Sequence, residues 1–122
     1  MGNVDVILKD CMQIDGALGA ALVDYETGMS LGQSGGSGLD LDVAAAGNSD
    51  VVKAKLRTMA ALGLEERIED VLITLSSQYH LIRLITARNG QGLFLYMALD
   101  KGRANLAMAR RQLSNLESDL QL

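Results

Sequence analysis

His80 is the only histidine and Cys11 the only cysteine in this 122-residue chain, so nucleophilic or metal chemistry would have to pass through one of them. A serine nucleophile would need His80 as its general base, with an orienting acid nearby. His80 instead falls within Tyr79-His80-Leu81-Ile82-Arg83, whose alternation reads as a strand carrying a surface or half-buried histidine. A structural zinc needs about four ligands from His, Cys and carboxylate, and one histidine with one cysteine does not supply them. Cys11 shares an apolar helical line with Val4, Ile7 and Leu8, which gives it a packing role in a reducing compartment. The acidic clusters Glu65-Glu66, Glu69-Asp70 and Asp40 with Asp42 sit near element ends, where acids cap helices or solvate edges, and they receive no acid-base role. We expect no catalytic, cofactor-binding or metal-binding residue.

The glycine-rich segment Gly32-Gln33-Ser34-Gly35-Gly36-Ser37-Gly38 also has a chemical reading, because it follows a strand and precedes a helix as phosphate-cradling loops do. It lacks both a terminal Lys-Ser or Lys-Thr and the G-x-G-x-x-G spacing, so a γ-phosphate would meet no cation there. Its composition predicts a flexible connector.

Charge narrows the partners further. Eleven Lys and Arg against fifteen Asp and Glu give a net charge of −4, which argues against a phosphate-binding surface. Arg103, Arg110 and Arg111 are the best basic group, but Glu117 and Asp119 follow them, and one Phe with three Tyr leaves little for base stacking. The 48% apolar and 21% charged content fits one globular domain, and no apolar run approaches the roughly 18 residues a membrane span needs. No secretory signal is visible. Met1-Gly2 followed by Val6 misses the hydroxyl residue of a myristoylation motif. The expectation is a cytoplasmic protein with neither nucleic acid nor membrane as partner.

The elements that would carry a site follow from periodicity. Asn3 can cap a first helix, which Gly16 ends. Strands are expected at 18–24 and 29–31, joined by the turn Tyr25-Glu26-Thr27-Gly28. A long helix at 40–62, capped by Asp40 or Asp42, has an apolar face of Leu41, Ala45, Val52, Leu56 and Met59, widened by Val51 and Leu62. Strands are expected at 67–75, 79–86 and 93–99, with turns at Ser76-Ser77 and Asn89-Gly90. Leu93-Phe94-Leu95-Tyr96-Met97-Ala98-Leu99 is apolar on both faces, so it should be central in a sheet covered on both sides. The charges Arg67, Glu69 and Asp70 suit a sheet edge. A last helix at 103–120 aligns Leu106, Ala109, Leu113, Leu116 and Leu120, leaving Arg103, Arg110, Arg111 and Glu117 for solvent. The fold class is therefore α+β, a five-stranded antiparallel sheet between the long helix on one face and the terminal helices on the other, in the order α-β-β-α-β-β-β-α.

A second line on the long helix stands apart from its apolar face. Val43, Gly47, Asp50, Ala54, Arg57 and Ala61 are spaced 4, 3, 4, 3, 4, and small residues there permit another helix to approach closely. Alanines also raise helix propensity by themselves, so both readings stand at this point.

The order of elements, with Gly19-Ala20-Ala21-Leu22-Val23-Asp24-Tyr25-Glu26-Thr27-Gly28 and Thr74-Leu75-Ser76-Ser77-Gln78-Tyr79-His80-Leu81-Ile82-Arg83, resembles the roadblock/LC7 family, in particular short bacterial members that act beside small Ras-like GTPases. The resemblance spans about residues 4–120. It implies one domain forming a homodimer, with the long helices paired and the third strands joined edge to edge. The interface would then comprise Val43, Gly47, Asp50, Ala54, Arg57 and Ala61 with Ile68 and Asp70. It also implies a non-enzymatic platform that binds a small Ras-like GTPase, in some members promoting its hydrolysis, with no cofactor of its own. A profilin-like or PAS-like small-ligand sensor is the alternative, though the aliphatic core list favours the platform.

Overall fold

The computed structural model describes residues 2–122; Met1 of the Met1-Gly2 stretch lies outside them. The elements are α1 (Val4–Cys11), β1 (Ala17–Asp24), β2 (Met29–Gly35), α2 (Leu41–Ala61), β3 (Asp70–Thr74), β4 (Gln78–Leu84), a 3-10 turn (Arg88–Gly90), β5 (Leu93–Asp100) and α3 (Leu106–Asp119). The five strands form one sheet in the order β2-β1-β5-β4-β3, and every neighbouring pair is antiparallel. This is the α+β fold and element order that periodicity predicted.

β5 is central because both of its faces must be covered. Phe94, Tyr96 and Ala98 join Ala21, Val23, Ile82 and the α2 residues Leu41, Ala45 and Val52 in one core layer. Leu95, Met97 and Leu99 join Ile7, Leu8 and Cys11 of α1 and Ala109 and Leu113 of α3 in the other. Alternate residues of one strand thus feed two separate apolar layers, which is why its sequence shows no polar alternation.

Several local expectations change once tertiary partners are present. The glycine-rich segment is not a free connector over its first half. β2 continues through Gly35, pairing Gly35 with Gly19, Ser34 with Ala20 and Gln33 with Ala21. A backbone ladder to β1 satisfies the peptide groups that face it, whatever the side chains prefer. Asn3 occupies the N-cap of α1 but makes no side-chain capping bond. Its amide nitrogen donates to the Asp119 carbonyl at 2.8 Å and its side-chain oxygen accepts from the Gln121 N–H at 2.6 Å, tying the two ends of the chain together. For α2 the cap is Asp40, which accepts from the Asp42 and Val43 N–H groups. The third strand begins at Asp70, so Arg67 and Glu69 belong to the segment before it.

The largest correction concerns α3. Glu117, expected in solvent, is 3% exposed. Its carboxylate accepts from the Thr86 hydroxyl at 2.7 Å, the Thr86 N–H at 3.2 Å and the Arg83 Nε at 3.4 Å. A buried carboxylate is tolerable only with such partners. The sequence did carry a signal, since Leu113, Glu117 and Leu120 follow at i, i+4 and i+7 on the inward face.

Candidate functional site

The histidine and the cysteine through which nucleophilic or metal chemistry would pass are both engaged in the packing of the fold. The His80 ring lies near Gln78 Oε1 (2.8 Å from Nε2) and the Tyr96 hydroxyl (3.2 Å from Nδ1). Because the Gln78 oxygen can only accept, Nε2 carries the proton and Nδ1 accepts from Tyr96. Burial lowers the pKa of His80 below its ordinary value, and burial pushes the Tyr96 phenol up to about 12, so it stays a donor. The result is a satisfied, half-buried neutral histidine. Cys11 is fully buried; burial above all, with the Asp10 charge beside it, raises its thiol to about 12. Among the described residues no three His, Cys, Asp or Glu side chains could hold a metal ion together, and no helix is long and apolar enough to cross a membrane.

A cleft of about 640 Å³ opens at the C-terminal end of α2, lined by Tyr25, Glu26, Leu56, Arg67 and Leu84 among others. Charges of both signs and the outer ends of two strands line it. The helix-to-sheet layer itself is filled by Leu41, Ala45, Val52, Phe94 and Tyr96, leaving the place where a sensor would hold its ligand occupied by side chains.

What remains is surface, and the second line of α2 is its clearest feature. Val43, Gly47, Asp50, Ala54, Arg57 and Ala61 all lie exposed on one side of the helix, opposite the buried Leu41, Ala45, Ser49, Val52 and Met59. Val43 is 67% exposed. Val51 and Leu62, expected to widen the buried face, also point outward at 39% and 65% exposure, because α2 packs on β1 and β2 only along the narrower stripe. A Cβ added at Gly47 would meet nothing within 4 Å. A glycine inside a helix costs about 0.5–1 kcal/mol relative to alanine, and nothing within the protomer calls for one here.

The two strand-edge residues behave differently. Ile68 is half-buried in the segment before β3. Asp70 opens β3, the outer strand of the sheet. Its carboxylate is held by Arg110 through two bonds, 3.0 Å to Nε and 2.9 Å to an outer guanidinium nitrogen, and its side chain is only 15% exposed. Asp70 thus anchors the edge strand to α3, while the backbone edge beside it remains open.

These features define an α+β domain whose histidine is hydrogen-bonded, whose cysteine is buried, and whose long helix presents an exposed line containing Gly47, Ala54 and Ala61. The chain carries the roadblock/LC7 fold. It is similar to MglB of Myxococcus xanthus, with a TM-score of 0.82 at 14% identity over 95% of this chain and 83% of that one. A roadblock/LC7 domain from Streptomyces avermitilis superposes with a TM-score of 0.78 at 18% identity, over 94% of this chain and 92% of the other. The gliding protein MglB of Thermus thermophilus gives 0.69 at 17% identity, over 94% and 88%. No protein-family model matches the sequence, and no curated protein does.

Proposed function

We propose that this protein is a non-enzymatic homodimeric regulator or scaffold that binds a small Ras-like GTPase. The observation that carries the reading is the solvent-facing line Val43, Gly47, Asp50, Ala54, Arg57 and Ala61 in a chain with the roadblock/LC7 fold. Two such lines can pack with their backbones close, and Gly47 then has a use that the single protomer does not give it. The open edge of β3 supplies backbone groups for a second contact across the same two-fold axis, with Ile68 near its entrance and Asp70 fixed by Arg110. The GTPase would dock on a surface built from both subunits near the paired helices.

Any stimulation of hydrolysis would come from ordering the GTPase's own switch segments. Arg83 is held by the buried Glu117 and is 18% exposed at its side chain, which removes it as a finger. Arg57 and Arg67 are exposed, and among the described residues no side chain holds either of them. The test is binding of the GDP and GTP-analogue forms of a small Ras-like GTPase encoded beside this protein, together with its GTP turnover in the presence and absence of the protein. Binding that prefers one nucleotide state supports the reading. Absence of binding to either form overturns it, and loss of all acceleration on replacing Arg57 or Arg67 by alanine with binding intact overturns the mechanism.

A further inference from the structure

We infer that Glu117 is a stop on the outer strand β3: it holds residues 65–68 out of the sheet as a reserve of strand, which joins β4 and lengthens the open edge once the carboxylate lets go of Thr86. Only the consequence for assembly rests on the reading of that edge as the contact with a second copy. The Leu64 N–H closes the end of α2 on the Met59 carbonyl at 2.9 Å, and the Glu69 carbonyl accepts from the Leu84 N–H at 3.3 Å. Between these two bonds, Glu65, Glu66, Arg67 and Ile68 make no backbone hydrogen bond among the described residues. They run open beside clefts of about 640 and 860 Å³, both lined by Glu66, Arg67, Ile68 and Thr86.

The register of the ladder identifies what interrupts it. β3 pairs Asp70 with Arg83 and Thr74 with Tyr79 of β4, so continued register would set Ile68 against Ile85 and Arg67 against Thr86. Leu84 donates its N–H toward β3, and Ile85 donates to Leu93 of β5 at 3.1 Å. Successive N–H groups of a strand alternate between its two neighbours, so the Thr86 N–H is the next one due on the β3 side. Glu117 takes it, at 3.2 Å. The side chain shows the same diversion. Ile82 and Leu84 belong to the α2 layer, and Thr86 would follow on that face in a straight strand, yet its hydroxyl reaches Glu117 of α3 at 2.7 Å. One carboxylate thus turns the chain away just where residues 67 and 68 would meet it.

Release reverses both effects. A freed Thr86 N–H bonds the Arg67 carbonyl and the Arg67 N–H bonds the Thr86 carbonyl, which adds one hydrogen-bonded pair to the β3–β4 hairpin. Glu69 and Leu75 bond to Leu84 and Gln78 of β4, so by alternation Asp70, Leu72 and Thr74 present their backbone groups to the open edge. Ile68 would join them. The edge therefore grows next to Asp70, which Arg110 already fixes. Glu117 lies two residues before the end of α3 at Asp119, so a shift of the last turn of that helix is the motion that frees Thr86. The end of α3 and the length of the β3 edge are coupled through one side chain.

Amide exchange by NMR on the full chain carrying Ala54→Glu reads the strand apart from the proposed dimer. In that background the Arg67 N–H should exchange as an unprotected amide. Glu117→Ala should slow it at least about tenfold and bring the α-protons of Ile68 and Ile85 into contact across the strands, as in a non-hydrogen-bonded pair. Glu117→Gln, which keeps the volume and one acceptor oxygen, should slow it less. A contact that merely braced the fold would instead speed exchange when removed. Unchanged or faster exchange of Arg67 in both variants overturns the proposal, as does an Arg67 N–H already as protected as that of Val71 before Glu117 is replaced. Without Ala54→Glu, sedimentation should show Glu117→Ala tightening the dimer about threefold or more. Slowed Arg67 exchange with an unchanged dissociation constant overturns the link to assembly, whereas slowed exchange in a chain that is monomeric throughout supports the stop and overturns the dimer reading alone.

Discussion

The Glu117 carboxylate on α3 receives both the N–H and the hydroxyl of Thr86, at 3.2 and 2.7 Å, across 31 residues of sequence. This contact fastens the last helix to the segment that leaves β4, and Arg83 completes it from within the strand. Replacing Glu117 by alanine removes all three bonds, leaving the half-buried Arg83 without its carboxylate while the exposed Thr86 can turn to water, and should cost about 1–2 kcal/mol. Thr86→Val should cost less, since only the hydroxyl bond is lost. Urea unfolding with an unchanged m-value is the measurement, and a Glu117→Ala midpoint equal to wild type would show that the contact is dispensable.

The Arg110–Asp70 pair is bidentate, but its arginine is 48% exposed. Solvent screening limits such pairs to about 0–1 kcal/mol. Arg110→Ala should therefore barely move the global stability, yet speed amide exchange at the start of β3, because the edge strand loses its tie to α3. Unchanged exchange at residues 70–72 would contradict this role.

Gly47 offers a test in which fold and assembly move in opposite directions. Gly47→Ala meets no atom in the protomer, so it should stabilise the folded chain by roughly 0.5–1 kcal/mol through helix propensity, while weakening the proposed helix pairing. Ala54→Glu or Gly47→Arg should raise the dimer dissociation constant at least about tenfold. Light scattering at tens of micromolar, read beside urea melts, separates the two effects; a wild-type monomer would end the pairing argument.

His80 makes stability depend on pH in a defined direction. Burial depresses its pKa below the ordinary 6.5, so the unfolded chain binds more protons than the folded one as pH falls past that value. The stabilisation is fully present above the unfolded pKa and is lost as pH falls through the folded one. His80→Gln should flatten the fall of unfolding free energy that wild type shows as pH drops below 6.5. An identical slope in both proteins would place the acid sensitivity elsewhere.

Cys11 should be silent toward thiol reagents in the native state. Its thiolate is disfavoured by burial and its side chain has no exposed surface, so alkylation by iodoacetamide should follow global unfolding. Rapid labelling of the folded protein would show that α1 opens independently.

Periodicity by itself determined the element order, the central place of β5 and the two lines of α2, because each is a local pattern that burial on one side or both sides writes directly into the sequence. The structure places Leu93–Asp100 between β1 and β4, and leaves Val43 to Ala61 with no tertiary cover along the second line. Other features depended on partners far along the chain. Glu117 looks like a solvent residue until Arg83 and Thr86, 34 and 31 residues away, are folded against it. Residues 32–35 look like a flexible loop by glycine content, yet the ladder to β1 outweighs their local preference. Asn3, which reads as a helix cap, is drawn instead to the chain's other end. Side-chain type fixes which hydrogen bonds a residue can make, whereas only the tertiary arrangement decides which of the competing partners lies within reach.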